Sequence, residues 1–274
     1  MADLTLKDIG PVVVVGAGKM GLALARGWVS GGLPPDRLVL VDPFAGDAAK
    51  AFANETGARV LPSADGILTQ VLVLAVKPQS MLAVLEQVLP VVGKHTLVVS
   101  IAAGISLHTL AAGLDTDRVV RAMPNTPAQI GKGISGVVAL TISEADRDVA
   151  ELLLGAAGDV MWFDEEAKID AVTALSGSGP AYVFHLVEAL AEAGMRQGLD
   201  PQQAMHLARQ TVVGSAALLE ADESPASILR ENVTSPKGTT AAALGVLMAP
   251  DGLTPLMERA VRAARMRSEE LGRG

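Results

Sequence analysis

Six residues, Gly16-Ala17-Gly18-Lys19-Met20-Gly21, follow directly on the β-branched run Val12–Val15 and precede a stretch with helical spacing. In a strand–turn–helix setting the three glycines do different things. Gly16 permits the tight turn, Gly18 lets backbone approach a pyrophosphate, and Gly21 lets the helix pack close to the strand. The helix start then faces the phosphates with free N–H groups and the positive end of its dipole. The alternative, a Gly-rich turn without a ligand, is disfavoured by the completeness of that setting. Asp42 ends the next run, Leu38–Val41, and stands 21 residues beyond Gly21, where a carboxylate accepts from adenosine ribose hydroxyls. A carboxylate there repels a 2′-phosphate, and Pro43 and Phe44 offer no arginine to attract one, so NADH is expected over NADPH. The competing possibility is that Asp42 caps a turn or faces solvent.

Further along, Ala75-Val76-Lys77-Pro78 follows another strand-like run and belongs at the carboxyl edge of a parallel sheet, where ligands bind. Lys77 either faces the cofactor or is a solvated charge. Arg121-Ala122-Met123-Pro124-Asn125-Thr126-Pro127 contains two prolines that stiffen a loop; Asn125 either addresses a nicotinamide amide or sits in a stiff turn. Ser176-Gly177-Ser178-Gly179-Pro180 interrupts an apolar helical pattern, and glycine there costs about 1 kcal/mol relative to alanine. Close packing is one compensation, approach of backbone to a ligand the other. Val233-Thr234-Ser235-Pro236-Lys237-Gly238-Thr239-Thr240 reads as a helix N-terminus that gathers hydroxyls and free N–H groups, suited to a small carboxylate or to capping alone. The histidines, His95, His108, His185 and His206, share no catalytic spacing.

These residues need a frame. Runs at 12–15, 38–41, 71–76, 97–101 and 119–120 lack polar alternation, as parallel strands covered on both faces do, and segments 19–30 and 79–89 are long enough for crossover helices. A doubly wound α/β domain over residues 1–163 is the expectation, with 136–140 and 160–163 extending the sheet around a helix at 144–154. From residue 164 to 274 strand-like runs disappear and alanine-rich helices take over. The segment 203–219 places Ala204, Ala208, Val212, Ala216 and Leu219 on one face and carries one charge, Arg209, so burial in an oligomer interface is expected, with a central helix of its own domain as the alternative.

Composition narrows the function classes. The chain has 274 residues, half of them apolar and 19% charged, with 22 Lys and Arg against 30 Asp and Glu, a formal charge of −8. That balance excludes a non-specific binder of nucleic acid or anionic membrane. Zero cysteines exclude disulfides and thiolate chemistry, and no metal site is expected. The first ten residues include two aspartates and lack the pattern of a secretory signal, and the longest charge-free apolar stretch, 171–187, is broken by Gly177, Gly179 and Pro180. A cytoplasmic protein without a membrane span is expected.

Taken in order, Gly16 to Gly21, Ala75 to Gln79, Arg121 to Pro127, Ala174 to Tyr182 and Val233 to Thr240 resemble the motifs of the Δ1-pyrroline-5-carboxylate reductase family over nearly the whole chain. The resemblance implies a Rossmann domain, a helical domain interlaced with a partner's in a homodimer, and higher oligomers built from dimers. It implies hydride transfer from NADH or NADPH to the C=N carbon of pyrroline-5-carboxylate, giving L-proline. It also implies that the segment 235–240 receives the substrate carboxylate on backbone amides, with Ser235, Pro236, Gly238 and Thr239 lining it and the hydroxyl of Thr240 bonding the ring nitrogen. Ser176, Gly177, Ser178 and Gly179 lie beside that pocket in the same comparison. Two positions depart from the family: Lys237-Gly238 replaces a common Gly-Gly, and Asp42-Pro43-Phe44 replaces residues suited to NADPH. The rival enzyme class, the β-hydroxyacid dehydrogenases, has a catalytic lysine followed four residues later by asparagine, whereas Lys168 is followed by Val172. A non-catalytic dinucleotide-binding regulator would keep the glycines without a need for residues 235–240.

Overall fold

The computed structural model describes residues 4–272. They form two compact units: the first runs to Gly177 and takes in the chain from Ala264 onward, and the second is Ser178–Ala263. The sequence places a boundary at 163/164, where strand-like runs stop.

In the first unit the apolar runs become β1 (Val12–Val15), β2 (Leu38–Val41), β3 (Arg59–Leu61), β4 (Val71–Leu74), β5 (Leu97–Ser100), β6 (Val119–Met123), β7 (Gly133–Ala139) and β8 (Gly158–Trp162). The strand order is β3-β2-β1-β4-β5-β6-β7-β8. Neighbours from β3 to β6 are parallel, β7 is antiparallel to β6, and β8 is parallel to β7. Helices α1 (Lys19–Ser30), α2 (Asp47–Thr56), α3 (Met81–Val88), α4 (Leu107–Leu114) and α5 (Glu144–Gly155) connect them. Alternate residues of each strand feed two cores: Val12, Val14, Leu38 and Leu40 pack with Trp28 and Phe52, while Val13, Val15, Val39 and Val41 pack with Met81, Leu85 and Leu110. At roughly 1.5–3 kcal/mol per buried aliphatic side chain, β1 and β2 alone outweigh any single polar contact nearby, so the sheet is a rigid frame. The chain leaves β1 toward β2 and returns on its other side as β4, which opens a crevice at the carboxyl ends of these strands.

Several elements depart from the sequence expectation. β3 begins with an exposed arginine and carries no long apolar run. β6 continues through Arg121 to Met123, because its ladder to β7 runs from Val120 to Met123. β7 starts at Gly133, before the apolar residues, since Gly133 pairs with Gly158 in β8. The predicted helix at 79–89 divides into a 3-10 turn at Pro78–Ser80 and α3.

After β8 the first unit adds α6 (Lys168–Val172) and a π-helical turn, Thr173–Gly177. The second unit contains α7 (Gly179–Arg196), α8 (Pro201–Ala221), α9 (Ala226–Asn232), α10 (Thr239–Leu247) and the start of α11 (Leu253–Leu271). Asp200 caps α8 by accepting from the N–H groups of Gln202 and Gln203, both at 2.9 Å. Small residues let α7 and α8 approach: Ala191, Ala204 and Ala208 are buried with Val187 against them. Beyond that contact the helices leave Phe184, Leu207, Val213, Leu218 and Leu219 more than half exposed. Of the face predicted on α8, Ala204 and Ala208 thus join the unit's own core, while Leu219 stays outward. No helix of the described residues is long and apolar enough to cross a membrane.

Candidate active site

The Gly-rich turn is built as three different glycines. Gly16 has φ +102°, and a Cβ there would lie 2.6 Å from the carbonyl oxygen of Ala75, so β1 and β4 close tightly around it. A Cβ on Gly21 would overlap the carbonyl of Gly16, which seats the first turn of α1 on the loop. Around Gly18, by contrast, a Cβ would meet nothing within 4 Å. Gly18 is also the N-cap of α1, without a side-chain cap and without an acidic residue in the first turn. The first intrahelical bond runs from Leu22 N–H to Gly18 O at 2.9 Å, leaving the N–H groups before it free to receive an anion. Lys19 is exposed, and Met20 packs against the first core.

Beside this turn lies a cleft of about 750 Å³, lined by Gly16 and Gly18 and by Asp42, Phe44, Asp65 and Lys77 among others. Both oxygens of Asp42 are held from below, Oδ2 by Ala17 N–H and Oδ1 by Phe44 N–H, each at 2.9 Å. Asp42 therefore caps the turns as well as lining the cleft. A carboxylate has lone pairs beyond these two bonds, so it still accepts from a sugar hydroxyl. Ala75, Val76 and Lys77 form the opposite wall, with Pro78 starting the 3-10 turn next to it. Lys77 lines the cleft as a cation, and Asp42 and Asp65 line it as acids. An open glycine at a helix start, a ribose acceptor and a cleft of this volume fit the adenosine diphosphate half of a dinucleotide.

At the end of β6, Asn125 is buried and its Oδ1 accepts from Ile134 N–H at 3.0 Å. That bond holds the loop to β7, where Ile134 is half-buried. Sequence reasoning passed over the next feature, Arg121 and Glu166. Arg121 is 6% exposed. Its Nη1 donates to Glu166 Oε1 at 2.7 Å, and that same oxygen receives Leu107 N–H at 2.8 Å. The available signal was a lone charge inside a strand, at a position where apolar residues are the rule.

Ser176 and Gly177 lie in the π turn, where Ser176 Oγ donates to Val172 O at 3.0 Å. A Cβ on Gly177 would come 2.7 Å from Met123 Cε, so Gly177 serves close packing, whereas around Gly179 nothing lies within 4 Å. Ser178 is the N-cap of α7. In the second unit, Gly238 is the N-cap of α10, again with no side-chain cap and no acidic residue in the first turn. Gly238 N–H donates to Ser235 O at 3.0 Å and the first helical bond joins Ala242 N–H to Gly238 O at 3.2 Å, so the N–H groups of Thr239, Thr240 and Ala241 lie at an open helix start. A Cβ on Gly238 would overlap Ser235 Oγ and displace that hydroxyl. Lys237 has φ +61°, a left-handed conformation that is uncommon for a residue with a long side chain. Ser235, Thr239 and Thr240 thus put hydroxyl-bearing residues on both sides of an uncapped helix start that follows Pro236.

Other candidates carry no such geometry. The four histidines are exposed, and His185 pairs only with Glu188 on its own helix at 3.1 Å. Lys168 makes a surface pair with Glu165 at 3.0 Å. Among the described residues no group of three or more His, Asp and Glu is placed to hold a metal ion.

Residues 166–271 match the family model described as pyrroline-5-carboxylate reductase dimerisation, and residues 11–104 match NADP oxidoreductase coenzyme F420-dependent. The chain is 42% identical over 268 residues to the pyrroline-5-carboxylate reductase of Pseudomonas aeruginosa, covering 95% of this chain and 96% of the relative. It is 41% identical to that of Glycine max, covering 94% of each. A pyrroline-5-carboxylate reductase structure from Coxiella burnetii superimposes with a TM-score of 0.88 at 34% identity, over 96% of this chain and 98% of that one. A Plasmodium falciparum pyrroline carboxylate reductase solved with NADP bound gives 0.80 at 27% identity, over 97% and 99%. With motifs, fold and end-to-end similarity in agreement, this chain belongs to the pyrroline-5-carboxylate reductase family.

Proposed function

We propose that this chain reduces Δ1-pyrroline-5-carboxylate to L-proline, the last step of proline biosynthesis, with 1–163 serving the cofactor and 164–274 serving the substrate and the dimer. The observation that carries the reading is the open start of α10: free N–H groups, threonine hydroxyls and no competing carboxylate in the first turn. A nicotinamide dinucleotide, when bound, supplies the hydride.

Gly16, Ala17, Gly18, Lys19, Met20 and Gly21 hold its pyrophosphate. Asp42 takes the ribose, and Ala75, Val76, Lys77 and Pro78 line the way to the loop that Asn125 braces. At α10 the open amides of Thr239 and Thr240 take the substrate carboxylate, with Ser235, Pro236, Gly238 and Thr239 shaping the turn. Thr240 Oγ1 holds the ring nitrogen, and Ser176, Gly177, Ser178 and Gly179 border the pocket. The cyclic imine enters already protonated, so the residues need to orient it more than to acidify it. Hydride adds to the C=N carbon, the π electrons become the nitrogen lone pair, and a neutral secondary amine forms, which takes a solvent proton.

NADH is the preferred donor in this reading, supported by Asp42 and Asp65 in a cleft that offers Lys77 and no arginine. A homodimer is part of the same reading, supported by the exposed apolar side chains of α7 and α8. So is a cytoplasmic address, for which the absence of cysteine is the supporting fact.

The test is nicotinamide absorbance with pyrroline-5-carboxylate and NADH or NADPH, against a 3-hydroxy acid with NAD as control. Oxidation of the cofactor only with the imine is expected, with the larger kcat/KM for NADH. Thr240→Ala should lose on the order of 10²-fold in kcat, the scale of a positioning contact, with NADH binding retained. Full turnover in that variant would remove Thr240 from the mechanism.

A further inference from the structure

Arg121 and Glu166 have no part in holding either ligand of the proposed reaction, yet they join the two segments that border it. Arg121 Nε is buried and has no hydrogen-bond partner, although Nη1 is bound to Glu166. Glu166 stands just before α6, which leads into the π turn, and it also fixes the N–H of Leu107 at the start of α4. Two residues beyond Arg121, Met123 reaches Gly177, the last residue of that turn: a Cβ there would come 2.7 Å from Met123 Cε, so a side chain at 177 fits only if the methionine end moves. The segments 121–123 and 166–177 are therefore fastened at both ends, by an ion pair at one and by an apolar contact at the other.

Stability does not explain such a pair, since a buried guanidinium with an idle donor stabilises less than apolar groups of the same volume. What it adds is direction, because a planar guanidinium fork fixes its partner in angle as well as distance. Arg121 is the buried member, its side chain 7% exposed against 31% for Glu166, so the guanidinium is the group whose placement the fold fixes. A π turn inside a helix is itself a feature enriched at functional sites.

We infer that Arg121–Glu166 and Met123–Gly177 form one clamp that sets the Pro124-Asn125 loop against the π turn, and so fixes the loop that positions the hydride donor. The inference rests on the proposed reductase activity. Arg121 and Glu166 act as positioning residues, through the loop and the turn. Misplacement by about 1 Å at reacting atoms costs on the order of 10²-fold in rate, so a loosened clamp is read in kcat rather than in binding.

Three variants test it in the full-length protein. Glu166→Gln keeps the shape and an acceptor for Leu107 but removes the charge. Arg121→Met with Glu166→Leu replaces the pair by apolar groups of similar volume. Gly177→Ala forces Met123 away, and Met123→Ala added to it restores the space. For each, kcat, KM, the Kd of NADH, Tm and the primary isotope effect from deuterated NADH are measured. With the clamp as described, Glu166→Gln lowers kcat about tenfold while KM and Kd stay within about threefold, and the isotope effect on kcat rises as hydride transfer becomes limiting. The apolar pair keeps or raises Tm with the same loss of kcat, and Met123→Ala rescues Gly177→Ala. An unchanged kcat in folded Glu166→Gln, or a loss that follows the unfolded fraction with the isotope effect unmoved, overturns the inference. If the apolar pair does not fold, Glu166→Gln and the 177/123 pair decide. Absence of turnover in the unmodified chain refutes the reductase reading and the clamp with it, whereas normal turnover in both the chain and its variants refutes the clamp alone.

Discussion

A methyl group at position 16 would meet the Ala75 carbonyl at 2.6 Å on a backbone with φ +102°, whereas at position 18 it would meet nothing within 4 Å. The two glycines answer to different requirements, and substitution separates them. Gly16→Ala should destabilise the chain by about 3 kcal/mol through strain and overlap. Gly18→Ala should leave stability within about 0.5 kcal/mol and still weaken NADH at least about tenfold, since its Cβ takes the space meant for phosphate. Thermal melts with cofactor titration check both; equal binding by Gly18→Ala would mean that the cradle lies elsewhere. Lys237 is the converse case. A left-handed backbone costs an L-residue roughly 1–2 kcal/mol, so Lys237→Gly, which relieves it but frees the unfolded chain, should gain about 0.5 kcal/mol. The KM for pyrroline-5-carboxylate in that variant reports on its ammonium: no change makes the side chain a bystander.

Helix starts show how elements are anchored by more than their own pattern. Ser143 and Asp146 form a capping box on α5, and Arg118, next to β6, donates Nε to Asp146 Oδ2 at 3.2 Å and Nη2 to Oδ1. Burial alone would raise the Asp146 carboxyl, but the bonds from Arg118 and Ser143 outweigh it and hold it below the ordinary value of 3.8. Its folded pKa is depressed, so its contribution is full above the unfolded value and is lost as pH falls through the folded one. Asp146→Asn should therefore cost about 1–3 kcal/mol near pH 7, and the gap from the unmodified chain should begin to narrow below about pH 4 and go on narrowing as pH falls toward the lower folded value. Urea titrations stepped downward from pH 7 measure it; a gap that does not narrow at all below about pH 4 would assign the loss to packing. Only part of this was legible in the sequence. Ser143 and Asp146 have the spacing of a box, but their tie to Arg118 spans 28 positions and exists only once β6 lies beside the helix start.

At the scale of the whole molecule, α8 presents Leu207 and Leu218, each more than half exposed and 11 residues apart. That interval returns a helix to within about 20° of the same direction, so the two form one stripe. Charging it with Leu207→Glu and Leu218→Glu should weaken the dimer by about 100-fold, roughly 3 kcal/mol, and yield monomer at micromolar concentration in sedimentation. An unchanged mass would place the interface on another face. The sequence by itself determined the central parallel strands and the Gly-rich turn, because both rest on local rules: buried parallel strands need unbroken aliphatic runs, and a turn at φ above zero needs glycine. It determined the uncapped start of α10 for the same reason. Only the tertiary structure decided that Asn125 braces its loop, that Gly177 serves packing while Gly179 stays open, and that Arg121 meets Glu166 across 45 positions. Those outcomes depend on which groups the fold brings within 3 to 4 Å, and residue spacing along the chain carries no record of that.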